Sequence, residues 1–317
     1  MLEVRDLRVV YLTAHGSVKA VDGVSMTIQP GEVLGLAGES GSGKSTLAHA
    51  ILRILHPPAL ITGGQAIFAG RDIMEMEDAE LEQFRWKEIS IVFQSAMNAL
   101  NPVMRIRDQL YDVMLQHGLT KGEAHERAVQ LFDLVGIEPR RLDSYPHQLS
   151  GGMRQRVVIA IALALNPPLL IMDEPTTALD VVVQKDILQQ IASLREKLGF
   201  SILFITHDLS LLVEFSTHIA IMYAGEIVEQ SQARELFNHA LHPYTVGLMN
   251  SFPSIGGDRH KLTGIPGSPP DLVTPPTGCR FHPRCPNMMP ICTQVTPQTN
   301  LISNEHSVAC HLYSESK

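Results

Sequence analysis

Residues 38–46 read GESGSGKST. Gly38, Gly43, Lys44 and Ser45 fit the spacing G-x-x-x-x-G-K-[ST], which lets a backbone curl until consecutive N–H groups point at phosphate oxygens. Ser40, Gly41, Ser42 and Thr46 complete the loop. An apolar stretch, EVLGLAG, precedes it, and KSTLAHAILRIL, with helical spacing, follows. A strand–loop–helix unit of this kind also aims a positive helix end at the anion. Lys44 is placed to reach β- and γ-phosphates, and the Ser45 hydroxyl to ligate Mg²⁺.

LLIMDEP, at 169–175, ends a buried apolar strand on two carboxylates. Asp173 suits Mg²⁺, which prefers oxygen donors. Glu174 suits the task of holding a water and taking its proton, typically worth about 10²–10⁴-fold. Gln94 closes ISIVFQ and His207 follows FSILFIT. A glutamine or histidine at a strand end is commonly a capping or surface residue. At the carboxyl ends of strands in one parallel sheet, where ligands bind, both become candidates for touching metal, water or phosphate.

A second anion-facing piece lies at 149–153, LSGGM. Ser150, Gly151 and Gly152 precede a helical pattern, so their N–H groups and the Ser150 hydroxyl form a cap for negative charge. One chain's phosphate loop already surrounds its own nucleotide. The economical expectation is that LSGG reads the γ-phosphate held by another subunit, two chains facing head to tail around two ATP molecules.

These residues need elements to hold them. LEVRDLRVVY and VDGVSMTI alternate as half-buried antiparallel strands do. Apolar strands at 89–94, 169–175, 200–206 and 218–229, separated by helical stretches such as 181–199, imply a mostly parallel sheet covered on both faces. RDQLYDVMLQHGL, KGEAHERAVQLFDLVGI and GMRQRVVIAIALAL read as helices, an insertion at about 96–165. The expected division is an α/β nucleotide-binding domain over 1–235 and a C-terminal extension over 236–317. Proline and glycine recur there with little periodicity, so that extension is expected to be loop-rich and to need a staple.

The chain has 317 residues, 44% apolar and 18% charged, enough for a substantial core. Its longest apolar run, VVIAIALAL, is far shorter than the roughly 20 residues of a membrane span. The N-terminal residues lack a signal-peptide core, so a cytosolic protein is expected. A formal charge of −8 argues against a dedicated nucleic-acid binder. A simple phosphate-loop kinase or GTPase would leave LSGG without purpose.

The ordered set of phosphate loop, LSGG, LLIMDEP, TALD at 177–180 and His207 resembles the nucleotide-binding subunit of ATP-binding cassette (ABC) proteins over residues 1 to about 235. That resemblance implies a P-loop NTPase core with an antiparallel β subdomain and an inserted helical subdomain. It further implies that Tyr11 stacks on adenine, Asp180 bridges two subunits, Gln94 senses a membrane partner, and His207 holds γ-phosphate and water in line. AGEIVEQ, ELFNHALHPYTVGLMNSFP and IPGSPPDL extend the similarity to the ATPases of oligopeptide and dipeptide importers. The implied partners are a second, related ATPase subunit, two transmembrane permease subunits and an extracytoplasmic substrate-binding protein, at the cytoplasmic face of the membrane. One departure is SAMNALNP at 95–102, where peptide importers usually read DPMTSLNP. Relatives with this C-terminal module also serve oligosaccharide importers, so the substrate class stays open. Soluble cassette ATPases acting on DNA or ribosomes carry long coiled-coil insertions or paired cassettes, and neither is found here.

All four cysteines, Cys279, Cys285, Cys292 and Cys310, fall in the last 39 residues. Disulfides are a poor explanation in a reducing compartment. Four thiols in a proline-rich segment suggest a metal staple, although the close Cys-x2–4-Cys pairs usual for zinc are missing. Some members of the resembled family hold a [4Fe–4S] cluster on matching cysteines, and Cys₄ ligation suits one. Cluster, zinc and free structural thiols are the three alternatives. His282, His306 and His311 lie nearby and are expected to be surface residues rather than ligands.

Overall fold

The computed structural model describes residues 1–94, 99–176, 180–251 and 264–314. The SAMN segment (95–98) and most of TALD (177–179) lie outside the described residues. The chain forms two compact units. One comprises Met1–Ile28, Val33–Met74 and Ile205–Lys317, and the other Gln29–Glu32 and Glu75–Phe204.

In the first unit, β1 (Leu2–Thr13) pairs antiparallel with both β2 (Gly16–Ile28) and β4 (Ala59–Phe68), and β5 (Arg71–Asp72) adds an edge. Along β1 the alternating pairs Leu2 and Val4, then Leu7 and Val9, are buried, with an irregularity between Val4 and Leu7 where Asp6 has φ 47°. The sequence reading missed β4, whose central Gly63-Gly64 interrupts the alternation that marks a strand. A second group of strands runs in the order β11-β12-β10-β9-β3. β3 (Val33–Ala37) is buried throughout and pairs parallel with β9 (His218–Tyr223), Leu34 opposite His218. Helix α1 (Lys44–Ile51) follows the phosphate loop.

The stretch 218–229, read from sequence as one strand, is a hairpin. β9 turns into β10 (Glu226–Gln232) at Ala224-Gly225, both at positive φ (50° and 89°). A two-residue turn with both residues left-handed matches the twist of antiparallel strands.

In the second unit, β6 (Ile89–Val92), β7 (Leu169–Asp173) and β8 (Ser201–Ile205) lie in the order β8-β7-β6 and are buried at every position. That is the burial expected of strands covered on both faces. The helical part contains α2 (Asp78–Phe84), α3 (Ile106–Gln116), α4 (Lys121–Leu134), α5 (Gly151–Ala162) and α6 (Val181–Leu198). Thr120 and Glu123 cap α4 reciprocally, a motif that satisfies two otherwise orphaned N–H groups. Among the described residues no helix is long and apolar enough to cross a membrane.

The C-terminal segment is less loop-like than its composition suggests. α7 (Leu209–Phe215) precedes it, α8 (Ala233–Asn238) spans its start and α9 (Pro243–Asn250) lies within it. β11 (Asn300–Ser303) and β12 (His306–Val308) form a hairpin, and β12 pairs with β10, Val308 opposite Glu229. Glu229 is 1% exposed. Its carboxyl oxygens accept from the N–H groups of Leu241 (2.7 Å) and His242 (2.9 Å) and lie 2.7 Å from His306 Nε2. His306 is therefore a buried tie between strands, not the surface residue expected. His282 and His311 have ring nitrogens 2.9 and 2.8 Å from the carbonyls of Cys279 and Val295.

His242 caps α9, its Nδ1 accepting from the Tyr244 N–H at 3.0 Å. Burial pushes its pKa down from 6.5 to about 3. A depressed histidine is neutral in the folded state while the unfolded chain takes up a proton, so this contribution is present above pH 6.5 and lost as pH falls toward 3. We expect a stability slope in that window lowered by about one proton, roughly 1.4 kcal/mol per pH unit, in His242→Asn relative to wild type. Denaturant titrations at pH 4.5, 5.5 and 6.5 measure it; identical slopes would remove His242 from the acid lability.

Candidate active site

The phosphate loop is built in the first unit between β3 and α1. Gly38 and Gly43 have φ of 151° and 105°. A Cβ at Gly38 would collide with the carbonyl oxygen of Met222, and one at Gly43 with that of Ala20. The loop thus passes so close to the end of β9 and to the middle of β2 that only glycine fits at both points. Lys44 is 6% exposed, and its ammonium donates to the carbonyls of Gly38 (2.8 Å) and Glu39 (3.0 Å), with the Ser42 hydroxyl at 3.4 Å. The loop carbonyls hold the lysine under the curve of the backbone. Ser40 and Gly41 are exposed at its crest and Ser42 is buried. Ser45 and Thr46 open α1 half-buried, and the Thr46 hydroxyl lies 3.1 Å from that of Tyr11. Tyr11 is thereby tied to the loop's helix from β1. His207, exposed, lies in the same unit just before α7, whose cap is Asp208.

The second unit carries the other candidates. Asp173 is the last residue of β7 and 1% exposed. Glu174, next along, has φ 44°, a left-handed backbone rare for a side chain of this size. Gln94 donates from Nε2 to its carboxylate at 2.8 Å. The structure therefore joins two residues that the sequence separates by 80 positions. Ser150 is the exposed N-cap of α5, its hydroxyl oxygen accepting from the Met153 N–H at 3.3 Å. Gly151 and Gly152 are the first helical residues, whose N–H groups have no acceptor within the helix. Asp180 is likewise a cap, accepting from the Val183 N–H of α6 at 3.0 Å.

Sequence reasoning missed Glu39, Tyr223, Tyr244 and Arg284. The Tyr244 hydroxyl accepts the Glu39 N–H at 2.8 Å, and Arg284 pairs with the Glu39 carboxylate at 2.7 Å. Glu39 occupies a variable position of the loop pattern, and Arg284 stands among cysteines that drew the chemical reading. No spacing signal marks either.

None of the four cysteines is in a disulfide; Cys292 and Cys310 are buried and the other two half-buried. Burial pushes Cys279 up to about 11, the Phe281 N–H acting against it and Cys292, Cys310 and Cys285 adding to it through their charges. Burial raises Cys285 and Cys310 as well, opposed by hydrogen bonds from the N–H groups of Asn287 and Leu312. Three of the four sulfurs thus face a backbone donor two residues on. Among the described residues no group of three or more His, Cys, Asp or Glu converges as a single metal ion requires. Neither a zinc centre, whose four thiolates must each approach to about 2.3 Å, nor an iron–sulfur cluster is supported by such a grouping.

The family model described as "ABC transporter" matches residues 21–177, spanning the phosphate loop and LLIMDEP. The dipeptide transport ATP-binding protein DppD of Caldanaerobacter subterraneus subsp. tengcongensis is 43% identical over 100% of this chain and 98% of its own length. This chain belongs to the ABC transporter ATPase family. It is accordingly an ATP-hydrolysing cassette, and the α/β fold read from sequence stands. The oligopeptide transport ATP-binding protein OppD of Salmonella typhimurium is 44% identical over 94% of this chain and 89% of its own. A model described as "Oligopeptide/dipeptide transporter, C-terminal region" matches 228–292. Among solved structures, the cassette MJ0796 in a dimeric post-hydrolysis state with ADP and Pi superimposes with TM-score 0.66 at 30% identity, covering 74% of this chain and 99% of that one.

Because Gly43 is confined by the Ala20 carbonyl, Gly43→Ala must shift the loop. We expect ATP affinity to fall by at least tenfold, read by fluorescent-nucleotide titration, with far-ultraviolet circular dichroism retained. Binding within twofold of wild type would show that the loop tolerates the displacement.

Proposed function

We propose that this cassette is the ATP-hydrolysing subunit of a dipeptide or oligopeptide importer at the cytoplasmic face of the cell membrane. In this reading it pairs with a second, related cassette, docks on two permease subunits, and is fed by an extracytoplasmic substrate-binding protein. The observation that carries it is the match of the C-terminal region, in addition to the ATPase part, to peptide-transporter relatives along essentially the whole chain.

The chain's own groups give the mechanism its steps. Tyr11 packs against adenine, and the loop 38–46 binds the phosphates through N–H groups and Lys44. The oxygen donors of Ser45, Gln94 and Asp173 suit Mg²⁺, which neutralises charge on β- and γ-oxygens when bound. Glu174 holds the attacking water, and Gln94 fixes the orientation of that carboxylate through the 2.8 Å hydrogen bond. His207 keeps γ-phosphate and water in line.

The Ser150 hydroxyl oxygen accepts from the Met153 N–H, and its own hydrogen can still donate. With the Gly151 and Gly152 N–H groups it contacts the γ-phosphate of the opposing cassette, and Asp180 lies at the junction. ATP closes the pair, closure moves the permeases, and hydrolysis releases them.

We further propose that Cys279, Cys285, Cys292 and Cys310 hold a [4Fe–4S] cluster as a structural staple. Support comes from four cysteines in one segment with no disulfide among them and from the backbone donors that face the sulfurs of Cys279, Cys285 and Cys310. Four cysteine thiolates are the ligand set that such a cluster would take.

Two measurements test these readings. In permease-containing vesicles, Glu174→Gln is expected to bind ATP as wild type does while hydrolysis falls at least 10²-fold and peptide uptake stops. Undiminished turnover would exclude Glu174 as the base, and uptake of oligosaccharides but not peptides would overturn the substrate class. Anaerobically purified protein is expected to be brown and to contain about four irons per chain. Colourless, iron-free protein from an iron-replete anaerobic preparation would reject the cluster.

A further inference from the structure

Arg284 lies in the short turn His282–Arg284, one residue before Cys285, and is 8% exposed. Its guanidinium grips the Glu39 carboxylate with two prongs, Nη1 to Oε2 at 2.7 Å and Nη2 to Oε1 at 3.0 Å. Such paired, charge-assisted bonds fix orientation as well as distance. Nε donates to the Pro266 carbonyl at 2.8 Å, and Nη2 reaches the carbonyls of Ile265 (3.4 Å) and Gly267 (3.5 Å). The guanidinium carbon stands 5.8 Å from the centroid of Tyr223, whose hydroxyl is 3.4 Å from Nη1. One side chain thus ties the cysteine segment, the turn at 265–267 and the end of β9 to Glu39.

Glu39 is the second residue of the phosphate loop, and its main chain is held as well. Its N–H donates to the Tyr244 hydroxyl at 2.8 Å, and its carbonyl accepts from Lys44 Nζ at 3.0 Å and the Ser42 N–H at 3.1 Å. The carboxylate, the amide and the carbonyl of one residue are therefore each anchored, the first by the C-terminal segment. The loop must present its N–H groups to phosphate without moving, and preorganisation of that kind sets affinity. A carboxylate in such a loop repels a triphosphate unless a cation offsets it.

We infer that Arg284 is a positioning residue for nucleotide: through Glu39 it holds the phosphate loop in its binding conformation and offsets a negative charge there, so that the cysteine segment sets ATP affinity. The role rests on ATP binding at this loop and goes beyond a structural role for the cysteines. Arg284 acts through Glu39 and need not touch the nucleotide.

The test compares wild type, Arg284→Gln, Glu39→Gln and the double variant as full-length chains, by fluorescent ATP-analogue titration with Mg²⁺ and by steady-state hydrolysis. Arg284→Gln is expected to weaken binding about tenfold and raise KM for ATP in proportion, with kcat at saturation changed less than threefold. Adding Glu39→Gln is expected to recover part of the lost affinity, the part due to the orphaned carboxylate, while the clamp stays absent; a merely structural arginine gives no such rescue. Affinity of Arg284→Gln within twofold of wild type, a fall in kcat at unchanged KM, or a double variant no better than the single one would each overturn the inference. Should Arg284→Gln not fold, Arg284→Lys keeps the charge and loses the second prong. A loss of threefold or more then supports the inference, and wild-type affinity overturns it. Wild type failing to bind ATP would bring down the nucleotide site itself, whereas binding by wild type with insensitive variants brings down this inference alone.

Discussion

The constraint on which the nucleotide site depends is steric. The phosphate loop is squeezed between the carbonyl of Ala20 from β2 and that of Met222 from β9, at Gly43 and Gly38 respectively. Those contacts leave no room for a side chain, and they fix the path of the backbone to within the tolerance of van der Waals contact. A loop held in this way can point its N–H groups inward before any anion arrives, which limits the ordering cost on binding. Lys44 completes the device, its charge tethered to the loop's own carbonyls.

The same end of β9 organises the C-terminal segment. Tyr223, Tyr244 and Phe281 are fully buried and meet at centroid distances of 4.5–5.4 Å, with His242 5.6 Å from Phe281. Phe281 comes from the cysteine segment, Tyr244 from α9 and Tyr223 from β9, so three distant pieces of sequence share one small core. Fully burying a side chain such as Phe281 contributes about 1.5–3 kcal/mol. Arg280, 6% exposed, adds ion pairs to Asp22 and Glu226 and a hydrogen bond to the Ala224 carbonyl. Burial raises the pKa of Glu226, and Arg280 works in the opposite direction. A buried charge cluster of this kind stabilises little by itself and costs heavily when one partner is lost. Its effect here is to fix where the segment sits.

What could be read from the sequence follows from which interactions are local. The phosphate loop, the strand ending in Asp173 and Glu174, and the Ser150 cap are each written within ten residues, and each was legible. The hairpin at 224–225 was not, because Ala224 gives no sign of its left-handed backbone and the apolar pattern runs through the turn. β11 was hidden by short length and exposed residues, and β12, though buried at His306 and Val308, is only three residues long; its pairing with β10, and that of β11 with β12, defines them. Glu39 and Arg284 meet across 245 positions. No periodicity reports a contact of that separation.

Glu174 shows how strain and chemistry coincide. Its φ of 44° costs on the order of 1–2 kcal/mol for a residue other than glycine. The chain spends that energy where β7 stops, turning the carboxylate off the strand direction immediately after the buried Asp173. Extended backbone would send successive side chains to opposite faces of the sheet. A left-handed residue breaks that alternation and re-aims the second carboxylate, and the hydrogen bond from Gln94 holds the result. Two adjacent acids can thereby do different work, one buried at the strand end and suited to a cation, the other half-exposed and held ready for water. A glycine at 174 would relieve the backbone and remove the base. The strain therefore belongs with the catalytic assignment of Glu174 proposed above.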